Sequence, residues 1–158
     1  MAYSNANNAD YTKSNNEEHV RPVHVDGRYY TALLNAGESS TERAKLGQDL
    51  LNHLCDAYHI TPVKLTASVA PRPRKVNERG KSETHGFYKH CGMLPIGIVV
   101  FNTTAVKQQV VSIKRFTETL LHEFIHHYDI HVLRLTKSLH TAGFYKRISD
   151  LEALLAGK

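Results

Sequence analysis

Five consecutive residues, His122-Glu123-Phe124-Ile125-His126, carry the densest chemistry in this chain. On an α-helix, residues four apart stand on one face, one turn from each other. Two imidazoles so placed can reach one ion, at roughly 2.0–2.1 Å each if the ion is zinc. Glu123 directly follows the first histidine, so it points to the flank of such an ion. That is the place for a carboxylate that handles protons without acting as a ligand. A chain with 11 histidines can produce this pattern by chance. Its setting favours the metal, because two histidines and a glutamate in an apolar helix are poorly tolerated without partners.

A tetrahedral catalytic site takes a third protein ligand and leaves the fourth position to water. The metzincin pattern would need Gly at 129 and His at 132, where the chain has Asp129 and Val132. His131, five residues past His126, lies about 140° further round the helix and faces elsewhere. Glu152 remains open as a ligand. His140 is preferred, because Thr136, Ser138, Thr141 and Gly143 around it suggest a turn that brings the chain back to the ion.

His122-Glu123-x-x-His126, a gap, then His140 with Phe144 four residues on and basic Lys146 and Arg147 after it resembles the SprT-like zincins, relatives of the DNA–protein crosslink protease Spartan. Thr117-x-Thr119-Leu120-Leu121 resembles that family's approach to the motif, while Thr141 stands where the family has Gly. The likeness runs from about Ile96 to Leu155. It implies a zincin-like fold, a bound zinc, and an exposed edge strand on which a substrate peptide lies as an extra strand. Hydrolysis of peptide bonds is the implied reaction. The ion lowers the pKa of water from ~15.7 toward ~7, and Glu123 takes a proton from it and passes it to the leaving amine. Tyr145, His127 and Tyr128 are candidates for an oxyanion donor or substrate contact. Two other classes remain: a zinc-binding DNA- or protein-interaction module without turnover, and a regulatory protease that cuts a repressor.

The elements that must position these residues follow from pattern. Leu120, Leu121, Phe124, Ile125, Tyr128 and Val132 recur at three- and four-residue steps, no Pro or Gly interrupts Ser112 to Leu135, and Ser112 is a fitting N-cap. A second helix is expected over Ser39–Tyr58, where Ser39 and Glu42 form a capping box and Leu46, Leu50, Leu54 and Tyr58 repeat beside Leu51. A third is expected over Ala142–Leu155, with Phe144, Ile148, Leu151 and Leu155 inward and Asp150 or Glu152 as acceptors for a ligand's ring N–H. Val63–Val69 alternates and reads as a half-buried strand; Thr84–His90 and the apolar Pro95–Asn102 read as two more. Arg28–Leu34 fits either a short helix or a strand. Residues 1–26, rich in Asn, Ser, Asp and Glu, read as a mobile tail with His19 and His24 exposed, ahead of a domain over 27–158. The expected fold is α+β: a small mixed or antiparallel three-stranded sheet on an N-terminal helix and the H-E-x-x-H helix, with a C-terminal helix. His53 and His59 read as surface or core-edge residues, and His85 and His90 as strand histidines beside the cleft.

The net charge of +5 and pI ≈ 9.2 tilt the partners toward the acidic. The basic residues Arg72, Arg74, Lys75, Arg79 and Lys81 between strands form a loop that could meet a phosphate backbone, though no aromatic is interleaved for base stacking. Cys55 and Cys91 form no C-x-x-C pair and cannot build a four-cysteine ribbon. No apolar run approaches the ~20 residues of a membrane span and the N-terminus lacks a signal-peptide design. A cytoplasmic protein acting on protein or peptide, without a membrane partner, is the expectation.

Overall fold

In the computed structural model, residues 2–158 are described, with side chains from residue 8 onward. The elements are α1 (Ala2–Asn16), α2 (Arg28–Leu34), α3 (Ser40–Tyr58), β1 (Leu65–Pro71), β2 (Arg74–Asn77), β3 (Gly80–Glu83), β4 (Gly86–Cys91), β5 (Leu94–Thr103), α4 (Ile113–His131) and α5 (Ala142–Leu155). Hydroxyl caps start the three longest core helices. Ser39, Ser112 and Thr141 accept the backbone N–H of Glu42, Arg115 and Phe144 in turn. The C-terminal helix begins and ends where its apolar periodicity does, and Arg28–Leu34 resolves as a helix.

The architecture is mixed α+β, with five helices and a three-stranded mixed sheet of order β1-β5-β4 among the described residues. β5 is central, parallel to β1 with Leu65 opposite Ile98, and antiparallel to β4 with Tyr88 opposite Ile98. Its apolar run fits this position between two neighbours, and Ile98 and Val100 enter the core. α3 covers β1 and α4 lies across β4 and β5, so Leu50, Leu51 and Leu54 meet Phe116, Leu120, Leu121 and Phe124 in one buried cluster. β4 forms an edge of this sheet. Gly86 brings it close to α4, since a Cβ there would collide with the Val99 carbonyl and the Thr119 methyl. No helix among the described residues is long and apolar enough to cross a membrane.

Three expectations need correction. The basic stretch after Pro73 is a two-stranded antiparallel ribbon, with Arg74 opposite Glu83 and Asn77 opposite Gly80. Asn77 Oδ1 accepts the N–H of Arg79, and Gly80 supplies a φ of 122° that a side chain would strain. Val69, which the alternation places on one face with Val63, Leu65 and Ala67, is 70% exposed because β1 runs on past the rim of the core.

The third correction concerns the N-terminal segment, whose first residue lies outside the described residues. α1 and the turn after it dock on the body: Ser14 and Val20 are buried, and Lys13 donates to the Leu133 carbonyl. Gly143 permits this, because a Cβ there would strike the carbonyls of Ser14 and Asn15. Polar contacts hold α1, while Val20, Val23 and Val25 after it pack on the core, so the segment is not a free tail. His19 and His24 are exposed, as expected.

Candidate metal centre

α4 sets His122 and His126 one turn apart on the face that looks out of the core toward β4. The chain after α4 reverses and delivers His140 just before α5. His140 Nε2 lies 3.2 Å from His122 Nε2 and 3.0 Å from His126 Nε2. One ligand atom from each of the three histidines falls within 4.8 Å of the others. Three nitrogens at about 2.0–2.1 Å from a tetrahedral zinc would be separated by roughly 3.3–3.4 Å, a few tenths from this spacing. The donor set therefore fits such an ion. A single ring hydrogen on His140 Nε2 could satisfy only one of its two nitrogen neighbours, whereas a cation satisfies all three lone pairs.

Phe144, fully buried, forms the floor. Its ring centroid is 5.0, 4.6 and 5.1 Å from those of His122, His126 and His140. Burial pushes His126 down to about 3, assisted by His122 and His140, and burial with the His140 charge pushes His122 down to about 4. Burial lowers His140 as well. Neutral imidazoles with available lone pairs are the form a metal needs.

Glu123 is 6% exposed, and its Oε1 is 4.0 Å from His122 Nε2. Burial alone raises its carboxyl to about 7. An acid that exchanges a proton near neutrality suits acid–base work, and a nearby cation would draw it down again. The residue stands at the bottom of a cleft of about 770 Å³, walled by His85, Tyr88 and His90 on one side and by Glu118, Tyr145 and Glu152 on the other.

The structure sorts the remaining candidates. Tyr145, 50% exposed, has its ring 5.9 Å from that of His140 and 6.2 Å from that of His122, and it lines the cleft. His127 does not. It points into the core, with Tyr88 Oη 2.7 Å from Nδ1 and the Thr61 carbonyl 2.7 Å from Nε2, because one residue past His126 is about 100° round the helix. Tyr128 is buried on the opposite side and its hydroxyl accepts the N–H of Arg21. Neither can serve an oxyanion in the cleft. His131 packs on His127, and Glu152 lines the cleft outside the three-nitrogen group. Asp150 accepts the N–H of Val20 and is no acceptor for a ligand ring.

The acceptor role falls to a residue the sequence marked only as part of a turn. Ser138 Oγ lies 2.7 Å from His126 Nδ1 and donates to Asp129, which pairs with Arg147 in the interior. Asp129 and Arg147 join across different helices, so no spacing rule reveals them. On the β2–β3 ribbon, Arg74, Lys75, Arg79 and Lys81 are exposed. Arg72 is not free for a phosphate: its Nε is 2.8 Å from Glu83 and its Nη1 is 3.1 Å from His85. Comparison of the chain with protein-family models, curated proteins and solved structures yields no match, so the functional case rests on this geometry.

Proposed function

We propose that this chain is a zinc-dependent metallopeptidase of zincin type, similar in design to the SprT-like proteins, that hydrolyses peptide bonds in protein substrates. The observation that carries the reading is a buried carboxyl, Glu123, beside three convergent imidazole nitrogens on the floor of an open cleft. A purely structural metal site has no use for such an acid.

Zinc, when bound, supplies a Lewis acid for the scissile carbonyl and brings the pKa of water toward ~7. His122, His126 and His140 are the residues that would hold it. Glu123 accepts the proton of the attacking water and delivers it to the leaving nitrogen. The Tyr145 hydroxyl, on α5 beside His140, is the donor for the developing oxyanion. The outer edge of β4 offers main-chain groups to an extended substrate above these residues. Cys55 and Cys91 are free thiols, in keeping with a cytoplasmic setting.

A second element of the reading is a nucleic-acid contact on the β2–β3 ribbon, where four exposed basic side chains stand on one hairpin. Proteins carried on DNA are then a fitting substrate class. The deciding experiment is cleavage of an unfolded protein such as casein, with and without chelator, by the wild type and Glu123→Gln. The variant should keep its zinc by elemental analysis and lose turnover by about 10²–10⁴-fold. Equal activity would remove Glu123 as the base, and a chain that holds zinc but cleaves nothing would be an interaction module.

A further inference from the structure

Around His126, every polar hydrogen has one place to go. Arg147, fully buried, has five N–H donors and five acceptors around it. Nε donates to Asp129 Oδ1 at 3.1 Å, and Nη2 donates to Asp129 Oδ2 at 2.9 Å and Ser14 Oγ at 3.0 Å. Nη1 donates to the carbonyls of Ser14 and Glu17, each at 2.6 Å. With a guanidinium N–H on each of its oxygens, Asp129 is held in the charged form that this two-pronged pairing favours. It is the carboxylate partner of a buried ion pair. Its Oδ2 takes the single hydrogen of Ser138 at 2.7 Å. The Ser138 oxygen, its hydrogen spent, can only accept from the neighbouring His126 Nδ1 at 2.7 Å. The ring hydrogen of neutral His126 therefore sits on Nδ1, and Nε2 faces His140 as a bare lone pair.

We propose that Ser138 is a positioning residue of the metal centre, holding His126 in the tautomer that presents Nε2 to a cation, with Asp129 and Arg147 fixing the direction of the Ser138 hydroxyl. The relay rests on the metal-centre reading above for its purpose, yet its hydrogen-bond direction exists without a metal. Free histidine distributes its proton over both ring nitrogens, so a ligand locked in one tautomer loses no affinity to the wrong one.

The test is long-range ¹H–¹⁵N NMR of the His126 ring in chelator-treated full-length protein near pH 7.5, paired with zinc titration. In the wild type the ring should carry its hydrogen on Nδ1. Ser138→Ala should show both tautomers and bind zinc about 10–100-fold more weakly, and Ser138→Thr, which keeps the hydroxyl, should restore both readouts. A wild-type ring protonated on Nε2 would overturn the relay, as would Ser138→Ala with unchanged tautomer and affinity. The wild-type measurement needs no variant to fold. It also separates the two claims: a correct tautomer in a chain that fails to bind zinc supports the relay and defeats the metal reading, and a wrong tautomer in a chain that binds zinc does the reverse.

Discussion

The two halves of the candidate metal centre are held by different physics. His122 and His126 ride on α4, whose inward face is buried along nearly its whole length, and the helix alone sets their spacing. His140 arrives on an irregular stretch that starts with Arg134 at a φ of 61° and has little local reason to hold one shape. That stretch is pinned from outside itself. Leu135 is buried and its N–H bonds to the Asp129 carbonyl; Ser138 reaches Asp129; Asp10 of α1 accepts from the backbone of Thr136 and Lys137; Lys13 donates to the Leu133 carbonyl. One half of the site is local and apolar in origin, the other long-range and polar. Arg147 is where the two meet, since it grips α4 through Asp129, α1 through the Ser14 carbonyl, and the turn after α1 through the Glu17 carbonyl.

Breaking that junction should have the largest effect. Arg147→Met leaves the Asp129 charge buried without its partner and two backbone carbonyls without donors. Loss of one member of a buried pair typically costs about 3–5 kcal/mol, and urea denaturation of the chelated protein should show a loss of that order. Adding Asp129→Asn to make the double variant should recover only part of it, because the carbonyls of Ser14 and Glu17 stay unsatisfied. Full recovery would mean that α1 does not depend on Arg147, and the contrast between the two halves would weaken.

This difference in origin also decides what could be read from the sequence. The α4 pair and Glu123 were legible because helical spacing and an apolar stripe are local signals, and α5 was legible for the same reason. His140 was reached from the turn residues around it and a family resemblance; the structure brings it to the other two. α1 was missed because its residues carry no apolar periodicity, and the segment is tied down by its own carbonyls and by Asp10. Ser138 and Asp129 were missed as site residues because a serine in a turn and an aspartate on a helix look ordinary until an arginine from another helix organises them. His127 and Tyr128, candidates for the oxyanion donor from the sequence, lie away from the cleft because each further residue turns about 100° from the ligand face. The β2–β3 ribbon reads as a loop in the sequence because its charged side chains give no buried face to alternate against.

A sharper probe of the α4 half is pH. His127 is fully buried between Tyr88 and Thr61, and burial, reinforced by the His131 charge, brings it down to about 4 despite the Thr61 carbonyl. In the unfolded chain a histidine titrates near ~6.5. Below that value the unfolded state takes up a proton that the native state refuses, so stability falls as pH drops from 6.5 toward 4. The slope is at most about 1.4 kcal/mol per pH unit, or roughly 2 kcal/mol between pH 6.5 and 5. His122 and His126 act in the same direction without metal, and Glu123, raised by burial, acts in the opposite one. The comparison must therefore be wild type against His127→Gln under chelator, where the shared residues cancel. The variant should be less stable at neutral pH and lose less on acidification; parallel curves would show that His127 is protonated in the fold.

The smallest effect should come from the outermost tie on the His140 side. Asp10 receives the backbone N–H groups of Thr136 and Lys137 and the Thr136 hydroxyl, much as an N-cap receives the first turn of a helix. Caps of this kind contribute about 1 kcal/mol, so Asp10→Ala should change global stability little. Its effect should instead be local. Amide exchange at Thr136 and Lys137 should accelerate about fivefold, the factor that 1 kcal/mol gives, while exchange in α4 around His122 and His126 stays as it was. Zinc should also leave faster, because His140 is the ligand whose backbone has been loosened. Unchanged exchange at both ends of the site would place the order of this stretch in Leu135 and Ser138 alone and reduce α1 to a passive cover. Faster exchange confined to residues 133–140 would establish that a segment with the composition of a tail is part of the scaffold of the three-histidine site.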